Sequence, residues 1–264
     1  RGGYRIGHDR MFDHMMLDGL EDAYEPGRSM GTFGEDCAGK YAFTREQQDA
    51  FATASVQRAQ AATQSGAFAA EITPVTVRTR AGETTISIDE GPGKVKLDKI
   101  ASLKPAFKKD GTITAASSSS INDGAAAMMM MRATTATKLG ARPLARIVAH
   151  AVHAQEPNWF ATAPVGAVQK LLAKANWSVK DVDLWEVNEA FAVVPMALMH
   201  ELGLSHDIVN VNGGACALGH PIGASGARIM VTLIHALKAR DLKRGVATLC
   251  IGGGEATAVA IELL

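Results

Sequence analysis

From Pro143 onward the 264-residue chain alternates short β-rich runs with helical stretches, and this alternation limits the possible folds more than any other feature. Residues 144–150 read as a strand, 165–175 as a helix, 184–187 as a strand, 189–202 as a helix, 208–211 as a strand and 221–238 as a helix. Two further strands, 245–250 and 256–263, finish the chain across Gly252, Gly253 and Gly254. Strands separated by helices predict a layered α/β domain, and the final pair predicts an antiparallel edge. Such domains build their sites at strand ends and helix starts.

The upstream half is less regular. Residues 1–28 mix Gly, His, Asp and Met around a weakly amphipathic stretch and read as a surface excursion. Thr44 is placed to cap a helix running to about Ser65, with Glu46 and Gln47 close behind it. Alternation across 71–88, broken by Arg80, Ala81, Gly82 and Glu83, predicts a hairpin, followed by a mobile loop over 91–99. Asn122, Asp123 and Gly124 open an Ala- and Met-rich run to Leu139 that predicts a buried helix ended by Gly140, with Met128 to Met131 as core filler.

Composition excludes several function classes. Lys plus Arg equal Asp plus Glu at 27 each, so no global field draws the chain to nucleic acid or an anionic membrane. No apolar run reaches the roughly 18–20 residues of a membrane span. Three widely spaced cysteines, Cys37, Cys216 and Cys250, form neither a zinc pattern nor a disulfide framework, which fits a reducing cytoplasm. The natural partner is a small molecule or another subunit.

Three motifs carry the chemistry: N-E-A-F at 188–191, G-G-A-C-A-L-G-H-P-I-G-A-S-G-A-R at 213–228, and C-I-G-G-G at 250–254. His220, between Gly219 and Pro221, is placed at the start of a helix, where the positive end of the helix dipole favours a neutral imidazole. A neutral ring can take a proton or donate to an oxyanion. Cys250 ends an apolar strand just before three glycines whose N–H groups can face one spot. Asn188, directly after a strand, can hold a water or a carbonyl with its amide. Gly223, Ala224 and Gly226 lack the G-x-G-x-x-G spacing of a dinucleotide loop and read as close helix packing. Cys37 reads as a packed position, and Cys216 as a neighbour of the site with no assigned chemistry. The set suits acyl transfer through enolate and tetrahedral intermediates.

Taken as a series, these motifs resemble the thiolase family, and the resemblance extends upstream through 119–124 to Met30 and Gly31. It implies a fold of two similar α/β/α/β/α halves with an inserted loop domain. On that pattern 1–121 is a partial, CoA-binding loop domain, 122–142 the helix returning to the N-terminal half, and 143–264 the C-terminal half. The implied reaction is a reversible ping-pong Claisen condensation of two acetyl-CoA, or thiolysis in reverse, needing no cofactor or metal. The resemblance makes Cys250 the base or acid at the carbanion, His220 the activator of the nucleophilic thiol and part of one oxyanion hole, Asn188 the holder of that hole's water, and Gly252 the backbone donor of a second. It places Ser119, Met30, Ala190, Phe191 and Phe160 along the substrate, and implies a homotetramer of full-length chains working on coenzyme A thioesters in fatty acid metabolism.

The chain departs from the family at three points. The family's acylated cysteine lies in the half that precedes Arg1, so this chain lacks the nucleophile and is expected to need the N-terminal half. Ser29 stands where synthetic members carry a histidine, and the CoA loop has Lys94 and Lys96 but no arginine. The alternatives are a β-ketoacyl-carrier-protein synthase relative, which uses two histidines where this chain has His220 and Cys250, and an inactive fragment or assembly subunit.

Overall fold

The computed structural model describes residues 6–264; residues 1–5 of the expected surface excursion lie outside the described residues. The chain forms helices α1 (Met30–Tyr41) and α2 (Arg45–Ser65), hairpin strands β1 (Val75–Thr79) and β2 (Gly82–Ile86), and short helices α3 (Gly91–Lys94) and α4 (Ala133–Leu139). It continues with β3 (Ala145–Ala154), α5 (Ala163–Ala175), β4 (Leu184–Val187), α6 (Val193–Leu202), α7 (Ala215–Leu218), α8 (Ser225–Ala239), β5 (Arg244–Ile251) and β6 (Glu255–Leu263).

Local chemistry accounts for several boundaries. Thr44 Oγ1 accepts from Gln47 N while Gln47 Oε1 accepts from Thr44 N, a reciprocal cap that starts α2 at the expected place. The helix ends at Gly66, which is left-handed at φ +76°. The hairpin forms as expected, whereas the 91–99 segment is not a plain loop but carries α3 and the start of a 3-10 turn, Leu97–Ser102.

Strands β3 to β6 form one sheet in the order β3-β6-β5-β4. The final two strands pair antiparallel as expected, but they occupy the centre; the edges are β3, antiparallel to β6, and β4, parallel to β5. The strand β5 is apolar almost throughout because both its faces are covered. On one side Leu184, Ala247 and Ile261 pack with Ile229, Leu233 and Leu237 of α8. On the other, Trp185, Val187, Val246 and Cys250 pack with Val168 and Leu171 of α5 and Val194 and Leu198 of α6.

Four expected elements differ. No strand forms over 208–211: a 3-10 turn, His206–Ile208, leads to a single bridge between Val209 and Trp185. Asn210 sits left-handed at φ +49°, and its side-chain amide bonds both the N–H and the C=O of Val187 at 2.8 Å, doing for β4 what a neighbouring strand's backbone would do. The helix expected from Glu189 begins at Val193, because residues 188–192 turn inward and pair with the 117–119 segment. The helix expected from Pro221 begins at Ser225, after a turn in which Pro221 O accepts from Ala224 N and Ser225 N.

The fourth difference is the largest. Only Ala133–Leu139 of the 122–142 segment is helical, and residues 122–132 are irregular. Met129, Met130 and Met131 are exposed, and only Met128 reaches a core, beside α8. Helix propensity is a weak preference that tertiary contacts override.

Candidate active site

The site is built at the C-terminal ends of β4 and β5. Asn188 follows β4, and its N–H donates to Thr248 O of β5 at 3.0 Å. Cys250 lies two residues farther along β5, opposite Ala256. The parallel register thus brings an amide and a thiol to the same end of the sheet.

His220 reaches this end from the loop before α8. Its backbone N–H donates to Ser120 O, its Nε2 lies 3.4 Å from Asn188 Nδ2, and its Nδ1 lies 2.5 Å from Ser225 Oγ. The pKa of His220 is lowered to about 4, first by burial and then by the positive charge of Arg228. The ring is therefore neutral, as expected, but burial rather than the helix start accounts for it.

Cys250 is buried in the core cluster on the α5–α6 side of the sheet, together with Cys37 and Phe160. Burial pushes its thiol up to about 12, so the resting group is protonated. No hydrogen bond joins Cys250 to His220 or Asn188 among the described residues; of the three, the structure directly couples only Asn188 and His220.

The expected substrate residues divide into two groups. Ser119 donates from both N and Oγ to Ala190 O, at 3.1 Å each, and Phe191 packs edge-on to Phe107 with ring centroids 5.7 Å apart. Met30, at the start of α1, reaches the glycine turn: a Cβ on Gly252 would lie 3.2 Å from Met30 Sδ. Ser119, Ala190 and Met30 are half-buried beside the strand ends, whereas Phe191 is buried in the core cluster. Phe160 instead is 3% exposed, edge-on to Phe33 in the core, and serves packing rather than an accessible wall. Lys94 pairs with Glu90 at 3.3 Å.

The sequence reading missed the support beneath Asn188. Glu189 is fully buried and its carboxylate accepts three bonds: from Ser55 Oγ at 2.7 Å, Asn210 Nδ2 at 2.8 Å and Cys216 N at 3.0 Å. Ser55 Oγ in turn accepts from Gly214 N, and a side chain on Gly214 would overlap the Glu189 carboxylate. Position 189 was visible in N-E-A-F, but an acidic residue after a strand reads as a helix start until its partners on α2 and at 210–216 are seen.

A neutral imidazole facing an amide, with a thiol and glycine turn at the neighbouring strand end, on a sheet covered by helices on both faces, defines an acyl-transfer enzyme of the layered α/β class. The comparisons agree. The model of the thiolase N-terminal domain matches residues 1–134 and that of the thiolase C-terminal domain residues 141–263. The chain is 49% identical over 265 residues to the acetyl-CoA acetyltransferase of Rhizobium meliloti (strain 1021), covering 100% of this chain and 67% of that relative. It is 50% identical over 264 residues to the acetyl-CoA acetyltransferase of Chromobacterium violaceum, with 99% and 67% covered. The crystal structure of the Bacillus anthracis acetyl-CoA acetyltransferase superposes with a TM-score of 0.95 at 43% identity, covering 100% of this chain and 67% of that one. The Acat5 thiolase of Ascaris suum, solved in complex with coenzyme A, gives 0.88 at 40% identity. The chain belongs to the thiolase family and is an acyltransferase; it spans about two thirds of the length of these relatives, and a carrier-protein synthase is not favoured.

Proposed function

We propose that the chain forms part of an enzyme that condenses two acetyl-CoA to acetoacetyl-CoA and CoA, or cleaves 3-ketoacyl-CoA in reverse. The observation that carries this reading is the buried, neutral His220 ring held against the Asn188 amide at the strand end that also bears Cys250. In the first half-reaction, a nucleophilic thiol loses its proton to His220 Nε2 and attacks the thioester carbonyl; the C–S bond to CoA breaks and CoA leaves with a proton. The product is an acetyl-enzyme. This reading gives the nucleophile's part to neither Cys37 nor Cys216: both are buried packing positions whose thiols burial raises, and neither lies in the segment where the family carries its acylated cysteine. On the family resemblance, that part belongs to a cysteine of the N-terminal half.

In the second half-reaction Cys250, left as the thiolate once its proton has gone to the departing CoA sulfur, takes a proton from the methyl of a second acetyl-CoA. The carbanion attacks the acetyl-enzyme carbonyl, a C–C bond forms, and the C–S bond to the nucleophile breaks. In the cleaving direction the protonated Cys250 returns a proton to the leaving carbanion, which matches its resting state. Asn188 orders a water at one developing oxyanion and the Gly252 N–H meets the other, while Ser119, Met30, Ala190 and Phe191 border the acyl and pantetheine chain. The thioester itself acidifies the methyl, so the reaction asks for no further cofactor. The three free cysteines suit a reducing, cytoplasmic setting, and the reading extends, on the family resemblance alone, to a homotetramer acting in fatty acid metabolism.

Mass spectrometry of the acetyl adduct beside a steady-state assay, on the protein carrying its acyl-accepting thiol, tests the roles. Cys250→Ala should still acetylate yet lose on the order of 100-fold or more in condensation, and His220→Ala should impair both half-reactions. Full turnover by the Cys250 variant would show the roles to be wrongly assigned.

A further inference from the structure

The hydrogen-bond partners of His220 limit its tautomer. Asn188 Nδ2 carries only protons to offer, so the ring atom 3.4 Å away, Nε2, is the acceptor. On the other side Ser225 Oγ is fully buried, with two polar neighbours: Pro221 O at 3.1 Å, which can only accept, and His220 Nδ1 at 2.5 Å. If the hydroxyl proton goes to the carbonyl, the oxygen lone pair faces Nδ1, which must then hold the ring proton. With the hydroxyl so oriented, both sides of the ring call for the same arrangement.

The elements bearing these partners are tied together a second time. Glu186, two residues before Asn188, lies on the same face of β4, and Arg228, three residues after Ser225, lies on the same face of α8. Arg228 Nη1 sits 3.6 Å from Glu186 Oε2, and both residues are largely buried. The strand that offers the amide and the helix that offers the hydroxyl are therefore joined at two levels, with His220 between them at the upper one.

We propose that Ser225 is a positioning residue that holds His220 as the Nδ1–H tautomer, keeping the Nε2 lone pair on the side of Asn188 and the substrate. This rests on His220 being the base of the acyl-transfer reaction, but the tautomer can be read without any turnover. In the opposite tautomer Nε2 carries a proton and cannot receive one from the nucleophilic thiol, so the first half-reaction would wait for a tautomer exchange.

The test uses the protein carrying its acyl-accepting thiol, with ¹⁵N-labelled histidine, observed by long-range ¹H–¹⁵N NMR at neutral pH. The unmodified protein should show His220 with a protonated Nδ1 and a bare Nε2. Ser225→Ala removes one oxygen without adding bulk; it should raise the Nε2–H population to a comparable level and slow acetylation by about tenfold or more, with KM for acetyl-CoA within about twofold. Ser225→Thr keeps the hydroxyl and should restore the original tautomer and most of the acetylation rate. A bare Nδ1 in the unmodified protein, or an unchanged tautomer in Ser225→Ala, would overturn the proposal. Neither result bears on whether the protein transfers acyl groups, which the unmodified protein's acetyl adduct reports separately.

Discussion

Glu189→Gln is the perturbation that most directly tests how the fold supports the site. The carboxylate accepts from Ser55 Oγ and Cys216 N through Oε2 and from Asn210 Nδ2 through Oε1, at 2.7 to 3.0 Å. An amide keeps the shape but one oxygen only. Whichever way it turns, at least one donor among the three faces an NH₂ group and is left without an acceptor in a fully buried position. A hydrogen bond to a charged group contributes about 1.5–3 kcal/mol, and stranding a buried donor costs about 1–3 kcal/mol. The expected loss is about 2–4 kcal/mol, a large part of the roughly 5–15 kcal/mol that holds a typical domain. Urea unfolding followed by circular dichroism should show the midpoint fall with little change in slope. Because Glu189 adjoins Asn188, acetylation should slow as well. A stability change under about 0.5 kcal/mol would show that the network is not what holds this loop.

Two further outcomes follow from groups whose acidity the fold alters. With the pKa of His220 lowered to about 4, the acid limb of kcat/KM should fall near pH 4 rather than near the ordinary 6.5; a limb at 6.5 measured on the free enzyme would contradict the buried neutral ring. Burial raises Glu186 from 4.5 to about 8 despite the pull of Arg228, with Glu189 and Glu71 adding to the rise and Arg240 opposing it. The unfolded chain releases this proton above pH 4.5 while the folded chain keeps it to about 8, so this group's contribution to stability should decline as pH rises through that window, offset below about 6.5 by His220 and His206, whose lowered pKa values of about 4 make stability rise there. Glu186→Gln should remove its share of the decline and leave that of Glu71, which burial raises to about 7; unfolding free energies taken between pH 6.5 and 8, above the histidines' range, that keep the original slope would refute the assignment.

Local patterns in the sequence were enough for the elements whose causes are themselves local. The α2 helix was legible because its cap, Thr44 with Gln47, and its stop, Gly66, lie within the segment. The hairpin, β4 and the β5–β6 pair were legible because alternation and glycine turns are near-neighbour signals. The family was legible because its chemistry sits in three contiguous motifs. Tertiary structure alone decided the rest. It put β6 at the centre of the sheet, since pairing partners from 145–154 are distant in sequence. It left 208–211 without a strand because the Asn210 amide satisfies the Val187 backbone, a contact no periodicity announces. It left the methionine run irregular and exposed, where apolar composition alone predicted a buried helix. Asn188, His220 and Cys250 could be named from the sequence as residue types suited to acyl transfer. Which of them touch and why the ring stays neutral depend on burial beneath neighbouring elements and on Arg228 arriving from α8, and distance in space is what a linear pattern does not record.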